Sequence, residues 1–133
     1  MEFDGFWATY AGYDPFQIIE KYADRCISLH MKDMRMDKGK RISTELAIGT
    51  LPLADYIKRG KEVGVKWFVV EQEEFTQDPL DSVADNAKEM KRLLAEVSGY
   101  IHLFDIYLIA IIFQSSRSRY YRVWHNGNGD QLI

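Results

Sequence analysis

Cys26-Ile27-Ser28-Leu29-His30-Met31-Lys32-Asp33 is the stretch whose reading decides the fold. Residues 26–31 are apolar enough for a parallel strand covered on both faces. The stretch closes on three residues with chemistry to offer, His30, Lys32 and Asp33. Two further apolar runs lie outward from it. One precedes it and ends at Asp4; the other, Val65 to Val70, follows it and delivers Glu71. In a parallel βα architecture the C-terminal ends of the strands face the same way, so Asp4, His30 and Glu71 are expected to converge.

The segments between these runs read as helices. Asp14-Pro15 is a helix start, with Asp14 as N-cap and Pro15 at the first helical position. Phe16, Ile18, Ile19, Tyr22 and Ala23 then mark one apolar stripe at spacings of three and four. Residues 33–45 are charged and Met-rich and are expected to form a long mobile loop. Gly49-Thr50-Leu51-Pro52 reads as a tight turn before a helix over Leu53 to Glu62, stopped at Gly64. Asp78-Pro79 repeats the earlier start signal and opens a helix over Leu80 to Val97.

Strands alternating with helices imply parallel pairing. A (β/α)8 barrel takes about 250 residues, so three of its units need roughly 94. Residues 1–97 match that length. The expected fold class is therefore α/β, a partial (β/α)8 barrel of about its last three βα units, over 1–97. Residues 98–133 form an unassigned, divergent tail: Tyr100 to Phe113 is apolar without a clear amphipathic period, and Asn126-Gly127-Asn128-Gly129 is turn-like. A strand end and a chemical Asp within four residues of Met1 lead to the expectation of barrel strands upstream, supplied by a partner or a longer chain.

Composition narrows the function classes. The chain has 133 residues, 47% hydrophobic and 28% charged, with a net charge of −3. That balance is ordinary for a globular domain and lacks the basic excess of a nucleic-acid-binding surface. No apolar run reaches the roughly 18–20 residues that span a membrane. The single cysteine, Cys26, excludes an internal disulfide and fits a buried position in a protein of the cytoplasm.

Asp4, His30 and Glu71 make a mixed oxygen and nitrogen ligand set. Carboxylates with an imidazole suit Mn²⁺, Mg²⁺, Co²⁺ or Zn²⁺, and no thiolate pair argues for a structural zinc site. A divalent ion at strand ends polarises a hydroxy-ketone and stabilises an enediolate. Glu71 beside it is the expected proton-transfer residue, and Lys32 is placed to neutralise a substrate oxyanion or phosphate. Trp7 lies on the same side, as a core aromatic or as part of a substrate wall.

The motifs taken in order are Asp4-x-x-Trp7, Ala11-Gly12-x-Asp14-Pro15, Leu29-His30-x-Lys32-Asp33, Glu45-Leu46, Gly49-Thr50-Leu51-Pro52, Val69-Val70-Glu71-Gln72 and Asp78-Pro79-x-x-Ser82. Together they resemble the xylose isomerase-like sugar phosphate isomerase/epimerase family, whose fold is a TIM barrel. The resemblance covers about residues 1–97. It implies a barrel-top site in which an Asp, a His and two Glu residues bind one divalent ion, Mn²⁺ foremost, and the two Glu residues act as acid and base. Asp4, His30 and Glu71 match three of these; the earlier Glu has no counterpart. Trp7 stands where some sugar epimerases of this kind have His, and Ala47-Ile48-Gly49 stands where two glycines often flank one residue. The implied substrate is a sugar, a sugar phosphate or an inosose. The alternative expectation is a non-catalytic product that keeps a metal-binding half-site or self-associates through open sheet edges.

Overall fold

The computed structural model describes residues 1–98, 109–115, 118–124 and 131–132. Among them the chain is a mixed α/β structure built on a small sheet. The elements run β1 (Glu2–Asp4), α1 (Gly5–Tyr10), α2 (Pro15–Lys21), β2 (Ser28–Met31), β3 (Asp33–Asp37), β4 (Lys40–Thr44), α3 (Leu53–Glu62), β5 (Trp67–Gln72), α4 (Pro79–Ser98), β6 (Ile109–Ser115), β7 (Ser118–Trp124) and β8 (Gln131–Leu132). Six strands form one sheet in the order β1-β2-β5-β6-β7-β8, and β3 and β4 pair as a separate hairpin. β1, β2, β5 and β6 are parallel, whereas β7 and β8 continue the sheet antiparallel.

Register positions the site. Asp4 pairs with His30, and His30 pairs in turn with Val69. Side chains alternate across a strand. Leu29 and Met31 of β2, with Phe68 and Val70 of β5, therefore point into one core with Ile19, Ile57, Val83, Met90 and Leu94 of the helices. The intervening His30 and Glu71 fall on the opposite face, two pairing positions apart and next to Asp4. The packing of α3 onto this core is close: a Cβ on Gly60 would lie 2.7 Å from Leu29 Cδ1.

Helix boundaries follow local chemistry. Asp14 accepts the Phe16 N–H at 2.9 Å as N-cap, with Pro15 in the first turn. Asp78 accepts the Leu80 N–H at 2.9 Å ahead of α4. α3 spans the expected Leu53–Glu62, and Gly64 follows it at φ +85°, the left-handed position where glycine costs least. Cys26 is buried, as its neighbours require.

Two expectations are corrected, and two features are added to the reading. Residues 33–45 are no mobile loop: β3 and β4 form a hairpin closed by Lys38 and Gly39, both at positive φ, the geometry of a two-residue type I′ turn. The Ser43 N–H donates to Glu74 Oε2 at 2.8 Å and the Glu74 N–H to Ser43 Oγ at 3.1 Å, which ties the hairpin to the segment after β5. A short helix, α1, follows β1 at once, because Asp4 is its N-cap as well as the strand end. Glu71 lies inside β5, which begins at Trp67 and runs to Gln72. The tail, left unassigned in the sequence, adds strands to the sheet. β6 pairs parallel with β5 (Val70 with Ile111, Glu71 with Ile112), so the edge of β5 is covered, and β1 alone of the first three parallel strands keeps a free edge among the described residues. Tyr100 and the Asn126–Gly129 segment lie outside the described residues.

Candidate functional site

Asp4 serves two purposes with its two oxygens. Oδ1 accepts the Phe6 N–H at 2.8 Å and the Trp7 N–H at 3.3 Å, capping α1. Oδ2 is buried, makes no hydrogen bond, and lies 3.7 Å from His30 Nδ1 and 3.3 Å from Lys32 Nζ. Capping thus fixes the carboxylate plane and aims the second oxygen at the strand ends.

His30 Nδ1 is 2.7 Å from Glu71 Oε2. Its Nε2 lies 2.9 Å from Glu2 Oε1, as an ion pair that lacks hydrogen-bond alignment. One ligating atom each from Asp4, His30 and Glu71 falls within 4.8 Å of the others. Lys32, the next residue of this rank, is fully buried, with Nζ 3.1 Å from Glu71 Oε2, 3.3 Å from Asp4 Oδ2 and 3.3 Å from Glu73 Oε1. Its ammonium also lies 5.3 Å from the Phe6 ring centroid and 5.4 Å from that of Trp7, within cation–π range. Trp7 is half exposed and stacks edge-on to Phe6, so it walls the site and is no core aromatic.

Charge explains the protonation states. Burial works against the His30 imidazolium, but the carboxylates of Asp4, Glu71 and Glu2 outweigh it and raise its pKa to about 10. The His30 contact pulls the Glu71 carboxyl down to about 2, against burial and with help from Lys32. Burial likewise opposes the Lys32 ammonium, and Asp4, Glu71 and Glu73 raise its pKa nonetheless. Four carboxylates thus face two cations, an excess of two negative charges. Together with the orphaned Asp4 Oδ2, that excess makes the donor set suitable for a divalent ion, whose binding would expel the His30 proton.

A pH prediction follows from these protonation states. The raised His30 pKa contributes stability that is complete below its ordinary 6.5 and lost as pH rises toward 10. The lowered Glu71 pKa contributes stability that is complete above its ordinary 4.5 and lost as pH falls toward 2. The metal-free chain should therefore be most stable between about pH 4.5 and 6.5. Thermal melting across pH 4–10 should fall by the equivalent of a few kcal/mol on the alkaline side, since each tenfold change in proton affinity is worth about 1.4 kcal/mol. Flat melting from pH 6.5 to 10 would mean that His30 is not held as the imidazolium.

Two buried clasps surround the site, and sequence reasoning passed over both. Asp33 accepts the Met34 and Leu51 N–H groups on Oδ1 (2.8 and 3.0 Å) and the Ala47 and Gly49 N–H groups on Oδ2 (3.0 Å each). Ala47 holds φ +65° within this turn, and a Cβ on Gly49 would lie 2.3 Å from Asp33 Oδ1, so the turn closes tightly on the carboxylate. Glu45 is the second clasp. Its Oε1 accepts Ser82 Oγ at 2.6 Å and the Thr76 N–H at 3.1 Å, and Oε2 accepts Thr44 Oγ1 at 3.1 Å. Burial raises its pKa, but these donors prevail and bring it to about 2. Beside it Asn86 accepts the Leu46 N–H at 2.7 Å and donates to Gln72. Motif residues separated along the chain thus meet as structural pairs that fix the hairpin, the 45–52 turn and α4 around the strand ends.

The structure brings Asp4, His30 and Glu71 together, with Lys32 beside them and Trp7 at their edge. Glu2 and Glu73 complete the cluster, and the period-two alternation of Glu2 with Asp4 and of Glu71 with Glu73 was the signal for both. Comparison with protein-family models, with curated proteins and with solved structures finds no match. No helix among the described residues is long and apolar enough to cross a membrane.

Proposed function

We propose that the chain carries part of a (β/α)8-barrel site for one divalent ion, Mn²⁺ foremost, acting on a sugar, sugar phosphate or inosose in isomerisation or epimerisation. The observation that carries this reading is the convergence of Asp4, His30 and Glu71 from three adjacent parallel strands. Asp4 Oδ2, His30 Nδ1 and a Glu71 oxygen would hold the ion. When bound, it supplies Lewis-acid polarisation of a hydroxy-carbonyl group.

The chain's own residues account for the remainder of the chemistry. Lys32 holds a buried positive charge against Asp4 and Glu71, in reach of any oxyanion that developed there. With a pKa near 2, Glu71 is a poor base while His30 and Lys32 both press on it, since a general base works best with a pKa near the operating pH. Withdrawal of the Lys32 ammonium toward a substrate oxygen would raise Glu71 toward a useful basicity. Trp7 and Phe6 offer an apolar wall that excludes water from that exchange.

Isothermal titration of Mn²⁺ into the chain and into Glu71→Gln tests the reading. The expected result is about one ion per chain, lost in the variant while circular dichroism stays unchanged, followed by Mn²⁺-dependent turnover in a ketose and ketose-phosphate screen. No binding by a folded chain would sink the metal reading. A second, non-catalytic reading rests on the free edge of β1, which invites pairing with another strand. Concentration-dependent association without Mn²⁺ binding would select it.

A further inference from the structure

A groove of about 510 Å³ opens between α1, the start of α2, the β3–β4 hairpin and the 50–52 turn. That volume accommodates a small metabolite. Phe16, Met34, Leu51 and Tyr56 give it an apolar floor, and two guanidinium groups, Arg35 and Arg41, reach it from the hairpin. Arg41 is already fixed: Nη1 donates to Tyr10 O at 3.1 Å and to Thr9 O at 3.3 Å. Arg35 is held more loosely, by a long ion pair to Asp37. Its Nε is buried without a hydrogen-bond partner, and its Nη1 comes no nearer than 4.0 Å to Asp37 Oδ1.

The Arg35 side chain keeps 35% of its surface exposed while Nε is shut off from solvent, and an acceptor lying in the groove would complete that donor. Among the lining residues Asp14 is the one carboxylate, and its Oδ1 is engaged by the Phe16 N–H. Asp37, 4.0 Å from Arg35 Nη1, stands outside the lining, so within the groove two planar, permanently charged forks face one engaged carboxylate and favour an anion, and the fork geometry matches the oxygens of a phosphate. We propose that this groove binds the phosphate group of a phosphorylated small molecule, with Arg35 as the principal donor and Arg41 as a preset second. The site shares no residue with the Asp4–His30–Glu71 cluster and stands or falls apart from it.

Inorganic phosphate titrated into the chain at constant ionic strength, followed by backbone amide NMR shifts and by calorimetry, tests the assignment, with acetate as the comparison anion. One phosphate per chain is expected, with shifts concentrated at Thr9, Arg35, Arg41 and Thr50. Arg35→Met should weaken binding about tenfold or more, the loss expected for a hydrogen bond to a charged group. Arg35→Gln, which keeps a donor, should weaken it less, and Arg92→Gln, which removes a surface guanidinium on α4 outside the groove, should leave it unchanged. Shifts scattered over the surface lysines, an Arg35→Met chain that binds phosphate like the wild type, or acetate binding as tightly as phosphate would overturn the proposal.

Discussion

Asp33→Ala should cost about 3–5 kcal/mol and loosen one loop before any other part of the molecule. The carboxylate is 1% exposed and accepts four backbone N–H groups, from Met34, Ala47, Gly49 and Leu51. Hydrogen bonds to a charged group contribute roughly 1.5–3 kcal/mol each. Water can reach some of the orphaned donors, so the sum is discounted. Even so, the loss is a large share of the roughly 5–15 kcal/mol that holds a domain together. The effect has a place as well as a size. Thr50 still donates to Met34 O from its backbone at 2.9 Å and from Oγ1 at 3.2 Å, so the turn is weakened without being released from β3 altogether. Urea unfolding should show the lowered midpoint, and hydrogen exchange should show protection lost first at the Ala47, Gly49 and Leu51 amides. Asp33→Asn is the sharper control, because its amide would set donor against donor at two of the four positions. An Asp33→Ala chain within about 1 kcal/mol of the wild type would mean that the four contacts are incidental.

That clasp marks the limit of what the sequence disclosed. Asp14-Pro15 and Asp78-Pro79 could be read because N-capping is local: the acceptor and the donor it satisfies are two residues apart. The stop at Gly64 could be read for the same reason. The convergence of Asp4, His30 and Glu71 was legible because parallel strands impose a common direction on their ends, whatever the details of packing. Asp33 was not legible as a clasp, because three of its four donors lie 14 to 18 residues away in a turn whose path only the folded chain defines. Lys32 and Asp33, adjacent and of opposite charge, turn to different partners, the ammonium to Asp4, Glu71 and Glu73 and the carboxylate to four backbone N–H groups. The hairpin was missed because Lys38-Gly39 lacks the Asn-Gly or Asp-Gly signature of its turn type, although Asp33-Met34-Arg35-Met36-Asp37 alternates charged and apolar residues as a strand does. The strands of the tail escaped notice because a strand's place in a sheet is settled by distant partners, here Val70 to Gln72 for β6.

Lys32→Met should lower stability by about 3–5 kcal/mol, the cost of removing one partner from a buried charge cluster. For a chain of this length that corresponds to roughly 10–20 °C in melting temperature. The reason is the company left behind. Asp4, Glu71 and Glu73 each lie within 3.3 Å of the ammonium, and without it only His30 remains to balance them and Glu2. Methionine fills most of the volume between the Phe6 and Trp7 rings and the strand, so packing loss is a minor part of the change. The variant also tests the metal reading in a way that turnover cannot. In the wild type the ammonium stands against the same Asp4 and Glu71 oxygens that a divalent ion would take, so ion and lysine compete. With the competitor gone, Mn²⁺ becomes the cation the cluster lacks. Saturating Mn²⁺ at about a hundred times its dissociation constant should return about 2.7 kcal/mol to the variant and less to the wild type. Differential scanning calorimetry with and without Mn²⁺ reads both effects. A variant as stable as the wild type would remove Lys32 from its role as counter-ion to the cluster. A destabilised variant that Mn²⁺ does not rescue would keep that role and sink the metal site, because a cluster left with an uncompensated negative excess would have declined the one ligand its geometry suits.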